Sequence, residues 1–154
     1  MKLLLTLGLL AVSLLSQELK IKADSFHADE KKGLSFFEGR VHIVRAQDEL
    51  QASKVIVHTN KQNEPIKYVA EGKASFTIVT LDGSIYKGRA EKVVYQPSLK
   101  EYYFYKNVHL EQINEKKEII GNEVVLKTIE GKAYAKGANK EPVIMIFNMP
   151  KDKK

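Results

Sequence analysis

A short turn-and-strand phrase is written three times in this chain, and that repetition limits the fold more than any single residue does. "FEGRVHIV" runs from Phe37 to Val44, "AEGKASFTI" from Ala70 to Ile78 and "FYKNVHLEQ" from Phe104 to Gln112. Alignment puts Val41, Ala74 and Val108 in register, 33 and 34 residues apart. The third copy departs from the others, because "YKNV" at Tyr105 to Val108 lacks their Glu-Gly. A second phrase recurs between these copies: "ADSFHA" at Ala23, "ASKVIV" at Ala52, "AEKVVY" at Ala90 and "GNEVVL" at Gly121. Each copy sets a small and a polar residue before an alternating strand. The two phrases interleave, so the unit is two strands and about 33 residues. One such unit cannot bury its apolar face, but a stack of several can.

The segments "VHIVRA", "KVIVHT", "ASFTIVTL", "KVVYQ", "NVHLEQI" and "NEVVLKT" are short, β-branched or aromatic, and alternating, which are strand signals. Turn signals separate them at Lys32-Gly33, Glu38-Gly39, Asn60 to Pro65, Asp82-Gly83, Pro97-Ser98, Asn114 to Lys117 and Glu130-Gly131. No window sustains the spacing of a long amphipathic helix. The pattern predicts an all-β sandwich, barrel or jelly roll.

Side chains alternate along a strand, so the registers also predict facing. The first phrase turns Val41 and Ile43, Ala74, Phe76 and Ile78, and Val108 and Leu110 to one side. The second adds Phe26 and Ala28, Val55 and Val57, Val93 and Tyr95, and Val124 and Leu126. Arg40, His42, Lys73, Ser75, Thr77, Asn107, His109 and Glu111 take the opposite, solvent side. The expectation is one continuous apolar interior.

The 154 residues suffice for one domain with its own core. "MKLLLTLGLLAVSLLS" carries one lysine and then an apolar run from Leu3 to Leu15, shorter than the roughly 20 residues of a membrane span. It fits the hydrophobic region of a secretory signal over residues 1–16; a buried helix and a retained anchor are the alternatives. Export implies a mature chain starting near Gln17, a β domain over 17–147 and a basic tail over 148–154. The chain has no cysteine, which excludes disulfides, thiolate metal sites, thiol catalysis and a lipidated N-terminal cysteine. An exported domain of this kind holds together by its core alone.

Neither metal nor catalytic chemistry is written in. His27, His42, His58 and His109 sit in different strands without metal-ligand spacing. No nucleophile elbow or phosphate-cradling glycine loop occurs, so no enzyme activity and no cofactor are expected. The net charge of +6 favours anionic partners weakly. Export, with charge spread over both signs, argues against nucleic acid despite "EYYFYK".

The stretches "ADSFHADEKKGLSFFEGRVHI", "DELQASKVIVHT", "YVAEGKASFTI" and "YKGRAEKVVYQPSLKEYYFYKNVHL" resemble the LptA/OstA-like family of periplasmic lipopolysaccharide-transport proteins. The resemblance runs from about Ala23 to Phe147. It implies a twisted β-jellyroll, open along one side, built from antiparallel strand pairs, with an apolar trough for the acyl chains of lipid A. It also implies end-to-end joining into a bridge between the inner and outer membranes, together with other lipopolysaccharide-transport proteins. Related modules form the periplasmic part of the inner-membrane anchor, so that role is an alternative. A structural or adhesive β-repeat module is the rival from another class.

A lipid carrier needs an enclosed apolar trough rather than a catalytic group. Burying one methylene is worth about 0.8 kcal/mol, so a dozen give roughly 10 kcal/mol. The expected lipid-contacting set is Phe26, Phe36, Val41, Ile43, Val55, Val57, Phe76, Ile78, Val93, Tyr95, Val108, Leu110, Val124 and Leu126, with Phe104 as a further bulky wall residue. Each could equally fill a solid sandwich core. Arg40, Arg45, Lys73, Lys87 and Arg89 are the cations available for lipid phosphates, against the plainer reading of a solvated surface. "LKIKADSFHA" and "VIMIFNM" mark the natural sheet ends, where unpaired backbone groups can accept another chain. The apolar run Val143 to Phe147 is either a buried closing strand or an interface strand.

Overall fold

The structure is a computed structural model that describes residues 18–150; the expected signal segment and the last residues of the basic tail lie outside them. Ten strands form one sheet in which every pairing is antiparallel: β1 (Leu19–Lys22), β2 (Ser25–Asp29), β3 (Leu34–Arg45), β4 (Asp48–Thr59), β5 (Pro65–Val79), β6 (Ile85–Gln96), β7 (Glu101–Gln112), β8 (Lys117–Lys127), β9 (Lys132–Lys136) and β10 (Ile144–Phe147). No helix occurs among the described residues. Strands β3 to β8 form a meander, each paired with the next. The remaining four flank it, with β1 and β2 end to end along β3, and β10 and β9 end to end along β8.

Six of the seven turn signals lie between strands. Side chains set several of these turns: Asn60 Oδ1 accepts the Gln62 and Glu64 amides, each at 3.0 Å, and Asn114 Oδ1 accepts the Ile85 amide at 2.6 Å. Glu38-Gly39 is the exception and corrects the sequence reading. It lies inside β3, which continues unbroken for 12 residues. What recurs there is a β-bulge. The register shifts between Glu38 and Val41, between Glu71 and Ala74, and between Tyr105 and Val108. At each bulge two residues take left-handed backbone: Gly39 and Arg40 (φ 80° and 46°), Gly72 and Lys73 (82° and 50°), Lys106 and Asn107 (63° and 50°). The odd strands β3, β5 and β7 each carry one extra residue, and a bulge bends its strand.

Because the bulges align, the whole sheet creases along one line. One leaf contains β1 and β10, the other β2 and β9, and both share the six long strands. Ring contacts show that the leaves fold face to face. Phe76 of the β1–β10 leaf stacks on Phe104 of the β2–β9 leaf at 4.4 Å between centroids, although they sit two strands apart on opposite sides of the crease. This is the open jellyroll.

The crease explains both sequence phrases. Its inner side is lined by Ala52, Ala74 and Ala90, all buried, with Val41 and Val108. Small side chains let the strands bend sharply there. The polar residue of the second phrase sits opposite the bulge of the first. The Asp24 amide donates to the Gly39 carbonyl at 2.8 Å, and the Asp24 carboxylate accepts from Arg40 Nη2 at 2.7 Å. Ser53 Oγ donates to the Gly72 carbonyl at 3.0 Å, and Asn107 Nδ2 donates to Glu91 Oε1 at 2.8 Å. The two phrases interleave because each supplies half of one bend.

Between the leaves lies the core. Phe104, Leu110, Leu126, Val41, Val55, Val93, Val108 and Val124 are its largest fully buried side chains. Both sheet ends are free among the described residues. The four flanking strands are short, and β10 exposes Ile144, Met145, Ile146 and Phe147. The apolar run before the basic tail is therefore an exposed edge strand and not a buried closing strand.

Candidate functional site

The candidate site is the space between the leaves on the side away from the crease. Eleven residues of the expected lipid-contacting set are buried between the leaves: Val41 and Val108 at the crease, Val55, Val57, Val93, Leu110, Val124 and Leu126 in the core, and Phe76, Ile78 and Tyr95 at the candidate site. Ile43 is half-buried against them. Phe26 is on the inner face, opposite Phe37 with rings 5.0 Å apart, but it stands on the sheet edge and is 60% exposed. Ala28 is exposed on the same edge.

Phe36 is a correction, because it faces outward. Inward positions step by four residues across a bulge, so counting back from Val41 reaches Phe37, which lies opposite Val55. Phe36 instead lies opposite Ile56, stacks on His27 at 4.6 Å and carries Lys54 over its ring. It belongs to an apolar row across the outside of the β2–β9 leaf, continued by Ile56, Val69, Val94, Tyr103, Val125 and Tyr134.

Much of the interior is solidly filled. Toward the hairpin tips it opens into a cavity of about 70 Å³, walled by Ile43, Leu50, Phe76 and Ile78 from one leaf and Tyr68, Tyr95 and Tyr102 from the other. A water's share of liquid volume is ~30 Å³ and a methylene is of similar size, so this cavity takes a few methylenes and not a dozen.

Four polar side chains span the open side above it. Arg45 closes β3, Asp48 opens β4, Tyr95 is the last residue but one of β6 and Tyr102 the second of β7, so the first pair belongs to one leaf and the second to the other. Arg45 Nη2 donates to Tyr95 Oη at 3.2 Å and meets Asp48 Oδ2 at 3.4 Å. The Tyr102 hydroxyl donates to Asp48 Oδ2 at 3.3 Å, and Asp48 Oδ1 accepts the Val79 amide at 2.8 Å. The Arg45 guanidinium also lies 5.1 Å above the Tyr95 ring. Burial works to lower the Arg45 pKa, but the hydrogen bond to Tyr95 and the oxygens of Tyr95, Tyr102 and Asp48 raise it above the usual value, so it stays charged. Burial, then the Asp48 charge, push the Tyr102 hydroxyl well up, so it stays a neutral donor. Beyond this cluster lies a polar vestibule of about 370 Å³ that Lys100 also lines.

Of the five cations considered for lipid phosphates, only Arg45 reaches the cavity. Arg40 is held by Asp24 at the outside of the crease, and Lys73 is exposed on its bulge. Lys87 and Arg89 pair with Thr77 and Ser75 on the outer face. Sequence reasoning missed Asp48, Tyr68, Tyr102 and Lys100; alternation from Phe104 reaches Tyr102, but nothing local marks Asp48. The histidines lie on outer faces, where His42 Nε2 meets Glu49 at 2.5 Å and His109 Nε2 meets Glu118 at 3.1 Å. Among the described residues no group of three or more His, Asp or Glu side chains is placed to hold a metal ion.

A creased antiparallel sheet with an apolar inner face and free ends defines the class of open β-jellyrolls. The profile of the LptA/(LptD N-terminal domain) LPS transport protein family matches residues 20–132, and the chain belongs to that family. Among solved structures it is similar to LptH, described as the LptA homologous periplasmic component of the lipopolysaccharide transport device of Pseudomonas aeruginosa. The TM-score is 0.76 at 17% identity, covering 86% of this chain and 96% of that one, which establishes a shared fold. No curated protein matches the chain in sequence.

Proposed function

We propose that this protein is a periplasmic carrier that passes lipopolysaccharide from the inner to the outer membrane, shielding its acyl chains between the two leaves. The observation that carries this reading is the apolar cavity at the open side of a sheet whose two ends are both unpaired among the described residues. Each acyl methylene taken from water gains about 0.8 kcal/mol, enough to hold a lipid without a specific pocket for every carbon. A full chain needs more room than the closed interior offers, so the leaves must part at their tips. The crease, with its fixed bulges, would serve as the spine about which they do so.

The edges supply the assembly. Strands β1 and β2 at one end and β9 and β10 at the other would add to the edges of further copies, or of other lipopolysaccharide-transport proteins at either membrane. Such joining would align the inner faces into one continuous apolar path. On this reading residues 1–16 direct export, and mass spectrometry of the native protein finds a mature N-terminus near Gln17; an intact first segment would point instead to the membrane-anchored component.

A photoreactive side chain in place of Phe76 tests the carrier. In cells it should crosslink to lipopolysaccharide, whereas the same group at Thr77, next along β5, should not. Crosslinks from Thr77 alone would overturn an internal path, and capture of protein alone at both sites would favour an adhesive module.

A further inference from the structure

The four side chains across the open side are arranged as an exchangeable ion pair, and we propose that Arg45 reads the anionic head of a single-chain amphiphile, with Asp48 as the internal counter-ion that the head displaces. This rests on the reading of the interior as a lipid site and adds a headgroup selector and a latch to it.

The apolar cavity and the polar vestibule share Arg45, Asp48, Tyr95 and Tyr102 as their common boundary. An amphiphile lying with its chain in the first and its head in the second must pass this boundary. Its head would then lie beside Arg45, with Lys100 on the far side of the vestibule. The guanidinium has five donors, of which Tyr95 and Asp48 engage only Nη2. The Asp48 contact is long at 3.4 Å, and a phosphate can accept two parallel bonds at shorter range. Asp48 does not become an orphan when it is displaced, because the Val79 amide still holds its Oδ1. Tyr102 is the strap. Its hydroxyl reaches from one leaf to Asp48 on the other, so a shift of Asp48 loosens the closure of the mouth. Headgroup binding and opening of the leaves are thereby the same event.

The absence of cysteine makes the test direct. Gln47→Cys and Leu99→Cys place spin labels on exposed hairpin tips of opposite leaves. Dodecyl phosphate and dodecyl maltoside, both below their micelle concentrations, are the probes. The expected result is that dodecyl phosphate binds at least about tenfold more tightly and lengthens the label separation. Inorganic phosphate alone leaves the separation unchanged. Arg45→Met should erase the preference while leaving the weaker maltoside affinity in place. Asp48→Asn keeps the acceptor for Val79, raises phosphate affinity and lengthens the separation before any ligand is added. Thermal unfolding confirms that both variants fold, and Tyr102→Phe provides a milder loosening should Arg45→Met not. Equal affinity for the two detergents, a preference that survives Arg45→Met, opening by inorganic phosphate, or an unmoved separation overturns the latch and leaves the carrier standing. Binding of neither detergent overturns both.

Discussion

Gly88 lies between Phe76 and Leu110 in the strand register, on the inner face where the leaves meet. A methyl group there would come 2.1 Å from the His109 carbonyl oxygen and 3.0 Å from Phe76 Cζ. The carbonyl belongs to the paired backbone and cannot yield, and Phe76 is held against Phe104. Gly88→Ala should therefore cost about 2 kcal/mol, read as a lower urea midpoint in chemical unfolding. A stability equal to that of the parent would mean that the paired backbone of β6 and β7 yields as well as Phe76. At this scale the sequence was a good guide wherever alternation ran undisturbed. Val55, Val57, Val93, Tyr95, Val124 and Leu126 could be placed inward from their own strands. It misled at Phe36, because two adjacent phenylalanines carry no mark of which one faces in. Alternation back from Val41 already reaches Phe37, but the reading of Glu38-Gly39 as a turn cut the strand there and hid the count. Asp48 was invisible for another reason. Its partner on the other leaf, Tyr102, is 54 residues away, and only folding of the leaves brings the two together.

The bulge is the element on which the architecture turns, and its third copy is the weakest. Lys106 occupies the place of Gly39 and Gly72, with left-handed backbone at φ 63°. An L side chain pays about 1 kcal/mol for that conformation where glycine does not. Lys106→Gly should accordingly stabilise the protein by about 1 kcal/mol, measured as a raised midpoint in urea. The reverse changes have a second cost. A methyl on Gly39 would lie 2.4 Å from the Asp24 carboxylate, and one on Gly72 would lie 2.6 Å from Ser53 Cβ. The repeat was legible in the sequence, but its meaning was not. Glu-Gly before a β-branched residue reads as a turn in isolation, and only the length of the strands shows that the chain bends there without reversing. The departure at "YKNV" is then no exception. Asparagine tolerates left-handed backbone better than most residues, and Asn107 anchors itself to Glu91.

For the whole molecule, the two ends differ in chemistry. At the β10 end, Ile144, Met145, Ile146 and Phe147 form an apolar margin. At the β1 end, Leu19, Lys20, Ile21 and Lys22 alternate apolar with basic. Dissimilar ends suit head-to-tail addition, which builds open filaments rather than closed dimers. Removal of residues 143–154 should abolish concentration-dependent growth in sedimentation velocity. The thermal midpoint should fall only slightly, since β10 pairs with β8 alone and is exposed throughout. Growth that persists without β10 would place the joining surface elsewhere.

The crease also breaks each margin in two. Ala23 and Asp24 interrupt one between β1 and β2, and the segment from 137 to 143 interrupts the other between β9 and β10. A straight foreign strand can thus match no more than five residues before the margin turns away from it. Chains that carry the same bend can follow it onward, while promiscuous amyloid-like partners find too short a foothold to hold. Angular matching in this way would let the borders left unpaired among the described residues be sociable to their own kind and inert toward the rest of a crowded compartment.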